Sequence, residues 1–227
     1  MPFHRRQVLG FTVAAPFALS LQPALAANRS DVSREVLLTW HKLILELVRH
    51  TATYMPPVAA RAFAYIGVTA HEALASGNPA LRSLAGQLTD LSALPARDDA
   101  AFDEPCVLHA ALNAAVLGLF SNTGPTGQRA MEKMGEIMGR TAREGIASAV
   151  VDRSVAHGRA IAAHILDWSA GDGGAVIENM GFPRDYTPGT RPQDWVPTSA
   201  IRLQQAPLLP GWGQNRPFAV PDMDALD

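Results

Sequence analysis

Two stretches, "VAARAFAYIGVTAHEALAS" at 58–76 and "CVLHAALNAAVLGLF" at 106–120, carry apolar residues almost all the way round a helical turn. A helix without a polar face has to be enclosed by other elements, so the chain must stack further helices around these two. The first stretch follows Pro56 and Pro57, and Pro57 suits a first helical position because its missing N–H is unpaired there in any case. Gly77 is placed as its left-handed stop. The second has Asp103 as N-cap, Glu104 and Pro105 in its first turn, and only His109 and Asn113 polar.

The enclosing helices are legible from their period. Leu37, Trp40, Ile44 and Leu47 recur at helical spacing within 30–53, and Met131, Met134 and Met138 form one stripe of a surface helix over 126–144, broken at Gly145. Val151, Val155, Gly158, Ala162 and Ile165 give a fifth helix ending near Gly171, while 78–103 is expected to be a loop with about one helical turn. No alternating pattern competes with these helices, so the fold class is all-α: a bundle of about five helices over 30–170. At 227 residues and 48% hydrophobic content the chain suits one domain with extensions.

Beyond Gly171 the character changes. Eight of the 17 prolines and seven of the 18 glycines fall in 171–227, among Phe182, Tyr186, Trp195, Trp212 and Phe218. An irregular segment of that length is unusual in a compact domain unless it binds something. The first 26 residues read as an export signal: Arg5 and Arg6, then an apolar run, then Ala24, Leu25 and Ala26 as a small-residue cleavage site. Arg5, Arg6, Gln7, Val8 and Leu9 resemble a twin-arginine signal, with ordinary secretion as the alternative. A membrane-spanning helix is disfavoured because Pro16, Gln22 and Pro23 interrupt the run. The product is expected to be exported, periplasmic or extracellular, with no membrane segment after signal removal. Nineteen basic against 21 acidic residues leave no electrostatic footprint for nucleic acid. The single cysteine, Cys106, allows no internal disulfide.

The candidate chemistry is incomplete at every point. His71 and Glu72 lack the second histidine of a zinc protease motif, Ala75 standing in its place. Arg61, Tyr65 and Glu72 share one face of the second helix and read as a partly buried polar seam. Cys106, His109 and Asn113 also share a face. A first-turn cysteine can be activated by a helix N-terminus, but three side chains on one helix cannot converge as a triad does, which favours core packing with a His109 to Asn113 hydrogen bond. Lys133 and Arg140 could hold an oxyanion only on a buried face; with Arg129 and Glu136 beside them they read as a solvated charge ladder. "GDGG" at 171–174 is too short and too poor in carboxylates for a calcium loop. His157 and His164 are expected to be half-exposed. No catalytic, cofactor-binding or metal-ligating residue is assigned.

The ordered segments "PPVAARAFAYIGVTAHEALASG", "LRSLAGQL", "DRSVAHGRAIAAHILDWSAGDGG", "DWVPT" and "LLPGWGQNRPF" resemble the N-terminal half of bacterial vanadium-dependent haloperoxidase-like proteins, members of the type 2 phosphatidic acid phosphatase superfamily. The resemblance spans about residues 35–220. It implies enzymes that hold vanadate or phosphate, but their lysine, arginine-proline, P-S-G-H and S-R segments and vanadate-ligating histidine belong to a second bundle. No P-S-G-H occurs here, Arg140 is followed by Thr141 and not by proline, and the chain is expected to stop before the second bundle; His71 stands where relatives often carry another residue. The resemblance therefore carries no functional residue onto this chain and leaves open whether the chain is an enzyme. It implies a non-catalytic half, left incomplete by truncation, a frameshift or a split gene. The other possibility is a stand-alone exported interaction module whose 171–227 tail docks a separately encoded catalytic half or a second copy. "PLLPGWGQNRPF" then reads as a linker, with Trp212 or Phe218 expected to be exposed.

Overall fold

The computed structural model describes residues 17–172, 177–183, 185–197 and 207–219, with the side chains of 17–28, Glu178 and Asn179 outside that description. Five α-helices follow one another: α1 (Phe17–His50), α2 (Pro56–Ala75), α3 (Glu104–Leu119), α4 (Pro125–Arg143) and α5 (Ser148–Ala170). Two short 3-10 turns, Glu178–Gly181 and Trp212–Gln214, lie in an otherwise irregular C-terminal segment, and there is no strand among the described residues. The protein is an all-α bundle.

Helix α3 is the axis. It packs against each of the other four helices and buries residues on every side, from Cys106 and Val107 to Ala115 and Val116. Its start is fixed as its sequence suggests: the Asp103 carboxylate accepts from Cys106 N at 3.1 Å, satisfying one of the first-turn N–H groups that a helix leaves unpaired. The closest crossing is with α5. A Cβ on Gly158 would collide with the Val107 carbonyl oxygen and lie 2.9 Å from Ala110 Cβ, so only glycine lets the two backbones approach this far. Ser154, one turn earlier on α5, accepts from Asp103 N at 2.8 Å and satisfies the backbone just before α3.

Around this axis, α1 contributes Val36, Trp40, Ile44 and Leu47, and α4 contributes Met131 and Met138, all buried. Each such side chain removed from water stabilises the fold by about 1.5–3 kcal/mol before the cost of ordering it. Helix α2 packs on α3 and α5. A smaller apolar cluster of Tyr65, Val68, Leu91, Ile165 and Trp168 lies apart from the main core.

Two boundaries differ from expectation. Helix α1 begins at Phe17, not Ser30; the alanine- and leucine-rich "FALSLQPALAA" continues the same helix through Pro23. The export signal read in residues 1–26 thus lies outside the described residues over 1–16 and is backbone helix over 17–26. Gly77 is not in the left-handed region; α2 ends at Ser76 with φ −59°, and the missing Cβ of Gly77 instead makes room for the Arg97 guanidinium. Gly145, with φ +74°, does supply the left-handed turn that ends α4. The 78–103 segment has no helix, only turns, among them the helical turn closed by Leu88 N to Leu84 O at 3.1 Å.

Candidate functional site

Two polar constellations rise out of this packing, both assembled from distant parts of the chain. The first centres on Asp172, just past the end of α5. Its side chain is 2% exposed, and it accepts from Arg61 Nε at 2.9 Å, Tyr65 Oη at 2.6 Å and Arg216 N at 3.2 Å. Arg216 Nη1 lies 3.4 Å from the same carboxylate and donates to the Trp168 carbonyl at 2.8 Å. A buried carboxylate is tolerated only when cations and donors surround it, and here two arginines and a phenol do so. The Tyr65 hydroxyl is driven to a raised pKa by burial first and by the Asp172 hydrogen bond and charge second.

This cluster fastens the C-terminal segment to the bundle. Phe218 packs edge-on to Tyr65 at 5.1 Å between ring centroids and against Trp168 at 5.0 Å, while its carbonyl accepts from Thr89 N at 2.9 Å. Trp168 Nε1 donates to the Thr89 carbonyl at 3.1 Å. Trp212 packs against the main core, and Leu209 N donates to Gly181 O at 2.7 Å. The expected exposure of Trp212 or Phe218 is not met, since both are half-buried. The anchor for "PLLPGWGQNRPF" is in large part the chain's own α2 and α5, reached through Arg216 and Phe218. Asp172, dismissed in the sequence as part of a failed calcium loop, is the residue that sequence reasoning missed; an acid directly after a helix C-terminus was the only local signal.

The second constellation is a cavity of about 130 Å³ between α3, α4 and α5, whose lining includes Cys106, His109, Asn113, Arg143 and Arg159. It gathers the three α3 residues singled out in the sequence with two arginines that were not. His109 is buried, and its Nδ1 accepts from Trp40 Nε1 at 3.3 Å. Indole N–H can only donate, so the neutral ring must carry its proton on Nε2, the nitrogen nearest Gly139 on α4. Burial, then the nearby Arg143 charge, lowers the His109 pKa to about 4, so the ring is neutral at physiological pH. The expected hydrogen bond to Asn113 gives way to the one from Trp40, because α1 packs across α3 at this level.

Cys106 is not an activated nucleophile. Burial, followed by its contact with Asp103, raises its pKa to about 12, and its thiol donates to the Ala142 carbonyl at 3.3 Å. The helix N-terminus that could have activated it is occupied by the Asp103 cap, itself paired with Arg29 at 2.5 Å.

The remaining candidates separate. Arg61 and Glu72 belong to different networks: Glu72 is buried and accepts from Leu84 N at 2.5 Å and Ser83 Oγ at 2.9 Å, holding the 78–103 loop against α2. His71 Nε2 lies 2.8 Å from the Arg82 carbonyl. Lys133 pairs with Glu136 at 3.0 Å with both side chains exposed, as a solvated ladder would. His157 is buried, not half-exposed, because Phe102 from the preceding loop covers it with ring centroids 5.3 Å apart; its Nε2 has no hydrogen-bond partner among the described residues. His164 Nε2 lies 3.2 Å from Ser92 Oγ. Among the described residues no three His, Cys, Asp or Glu side chains gather as a metal site, and no helix is long and apolar enough to cross a membrane.

No family model and no curated protein matches the chain. Among solved structures, the chain is similar to the crystal structure of a bacterial vanadium-dependent iodoperoxidase described as the first of its kind, with 27% sequence identity and a TM-score of 0.63. The similarity covers 83% of this chain and 43% of the iodoperoxidase chain, so the chain spans less than half the length of the protein it matches. Its helical fold is of the haloperoxidase type.

Proposed function

We propose that this chain is the non-catalytic helical half of a vanadium-dependent haloperoxidase-type protein of the type 2 phosphatidic acid phosphatase superfamily. By itself it turns over neither halide nor phosphate ester, and it is completed by an oxyanion-binding half. The observation that carries this is the extent of the structural likeness, which takes in most of this chain but only 43% of the iodoperoxidase.

The His109 cavity does not fit a coordinated vanadate. A coordinate bond requires a histidine nitrogen with a free lone pair. In His109 the Nδ1 lone pair is committed to Trp40 and Nε2 holds the proton. Lys133 and Arg140, the other candidate donors, lie on the surface of α4, with Lys133 engaged by Glu136. No catalytic step is therefore assigned to this chain, and its role is to form a scaffold against which the other half packs.

The C-terminal segment supplies a surface for that contact. Its inner side is held by Asp172 and the Tyr65–Trp168 pair, while Met180, Val196 and Leu208 remain exposed. We assign these side chains to docking of a second unit, and the alternative of an exported interaction module would use the same segment. Export, by a twin-arginine or ordinary signal, belongs to the same proposal.

The test is assay of the purified chain with vanadate, peroxide and iodide or bromide, and separately with a phosphate ester. No turnover above buffer is expected, whereas vanadate-dependent turnover by this chain alone would overturn the proposal. Co-expression with a catalytic half encoded nearby distinguishes scaffold from stand-alone module: a co-purifying, active pair supports the first.

A further inference from the structure

We propose that the cavity between α3, α4 and α5 binds a small inorganic oxyanion of the phosphate class, held by hydrogen bonds from His109, Asn113, Arg143 and Arg159. The cavity's lining contains no Asp or Glu. Its floor is the Nε2–H of buried His109, whose orientation is dictated from behind by Trp40 and which donates to no protein atom among the described residues. The nitrogen opens onto the cavity, so a ligand there can accept from it.

The rim supplies the charge. Arg143 donates through Nε to the Gly139 carbonyl at 2.7 Å, which fixes the guanidinium beside the cavity and leaves its terminal nitrogens uncommitted. Arg159 makes no hydrogen bond or ion pair among the described residues, and neither arginine has a carboxylate within salt-bridge reach among them. Gly139 sits between the donors: a Cβ there would lie 3.0 Å from Arg143 Nη2 and 3.1 Å from His109 Nε2, so the two nitrogens are no further apart than those distances together. One turn earlier, a Cβ on Gly135 would lie 2.9 Å from Asn113 Oδ1, an acceptor, and 3.6 Å from Nδ2, the nitrogen that can donate. The two glycines keep α4 from filling the space that α3 and α5 line with donors.

The class of ligand follows from size and donor geometry. A cavity of about 130 Å³ has room for roughly four waters at about 30 Å³ each. Sites for nucleotides and other organic cofactors run to roughly 300–1,000 Å³. Donors arriving from three helices need an acceptor with several lone pairs pointing in different directions. Guanidinium forks match pairs of oxygens and not a single spherical halide. A tetrahedral oxyanion satisfies both demands, and it is held without coordination to a histidine nitrogen.

The test uses the purified chain and inorganic phosphate at pH 7.5 and constant ionic strength, followed by ³¹P NMR and by the His109 side-chain N–H resonance. Saturable binding is expected, with the His109 resonance shifting along the same isotherm. Arg143→Gln and Arg159→Gln should each weaken binding by about tenfold, the scale of one charge-assisted hydrogen bond. Lys133→Gln and Arg140→Gln, on α4 but outside the cavity's lining, should leave it unchanged. Chloride at matched ionic strength should not compete. Non-saturable broadening, equal weakening by Lys133→Gln, an unmoved His109 resonance, or chloride competing as well as phosphate would each overturn the proposal. None of these readouts depends on halide oxidation, so the outcome is independent of the scaffold function.

Discussion

Replacing Asp172 with Ala should both destabilise the bundle and free the C-terminal segment. The substitution removes the acceptor for Arg61 Nε, Tyr65 Oη and the Arg216 backbone and side chain. Breaking a buried ion pair from one side costs about 3–5 kcal/mol. The Arg61 and Arg216 side chains are 18% and 14% exposed, so water can reach both once the carboxylate is gone, which places this part near about 3 kcal/mol. The Tyr65 hydroxyl, on a fully buried side chain, adds about 1 kcal/mol when left unpaired. A total near 4 kcal/mol lowers Tm by roughly 8–16 °C for a domain of this size. Asp172→Asn keeps the shape and one acceptor oxygen and should cost about half as much. Urea unfolding followed by tryptophan fluorescence gives the free energy, and chymotryptic cleavage after Trp212 and Phe218 reports the segment. A cost below about 1 kcal/mol would refute the ion-pair argument. A full loss of stability with no faster cleavage after Phe218 would show that Asp172 holds the bundle but not the segment.

Gly158→Ala places a Cβ against the Val107 carbonyl and should cost about 3 kcal/mol, the upper end for overpacking, read as a lower urea midpoint with an unchanged slope. His109 is held neutral with its pKa lowered to about 4, so below about pH 6.5 the unfolded chain takes up a proton that the folded one refuses. Stability should then fall as pH drops from about 6.5 towards 4, by up to about 1.4 kcal/mol per pH unit from this residue, and His109→Gln should flatten that limb. His157, its pKa also lowered by burial and then Arg97, adds to the same limb, so the variant should reduce the slope and not abolish it. Cys106, with its pKa raised to about 12, should resist alkylation at pH 8 in the folded chain and react on unfolding; rapid labelling of native protein would contradict its burial.

The sequence by itself determined the elements. Two stretches without a polar face required enclosure, the periods of Leu37–Trp40–Ile44 and Met131–Met134–Met138 supplied the enclosing helices, and Asp103 and Gly145 marked a start and a stop that the structure keeps. These are local properties, fixed by residues within a turn or two of one another. The site features were illegible for the opposite reason. Asp172 meets Tyr65 across 107 residues and His109 meets Trp40 across 69, and no spacing within a helix encodes either pairing. Sequence placed Cys106, His109 and Asn113 on one face of α3, but which face of α4 and α5 would close over them depended on how near the backbones could come. Gly158 and Gly139 decide that by what they lack: the period put Gly158 on the stripe of α5, but not how near to α3 it lets that helix come. Only the tertiary structure turned a rejected triad into a cavity lined by donors, and an apparent linker into a segment tied to its own bundle by one buried carboxylate.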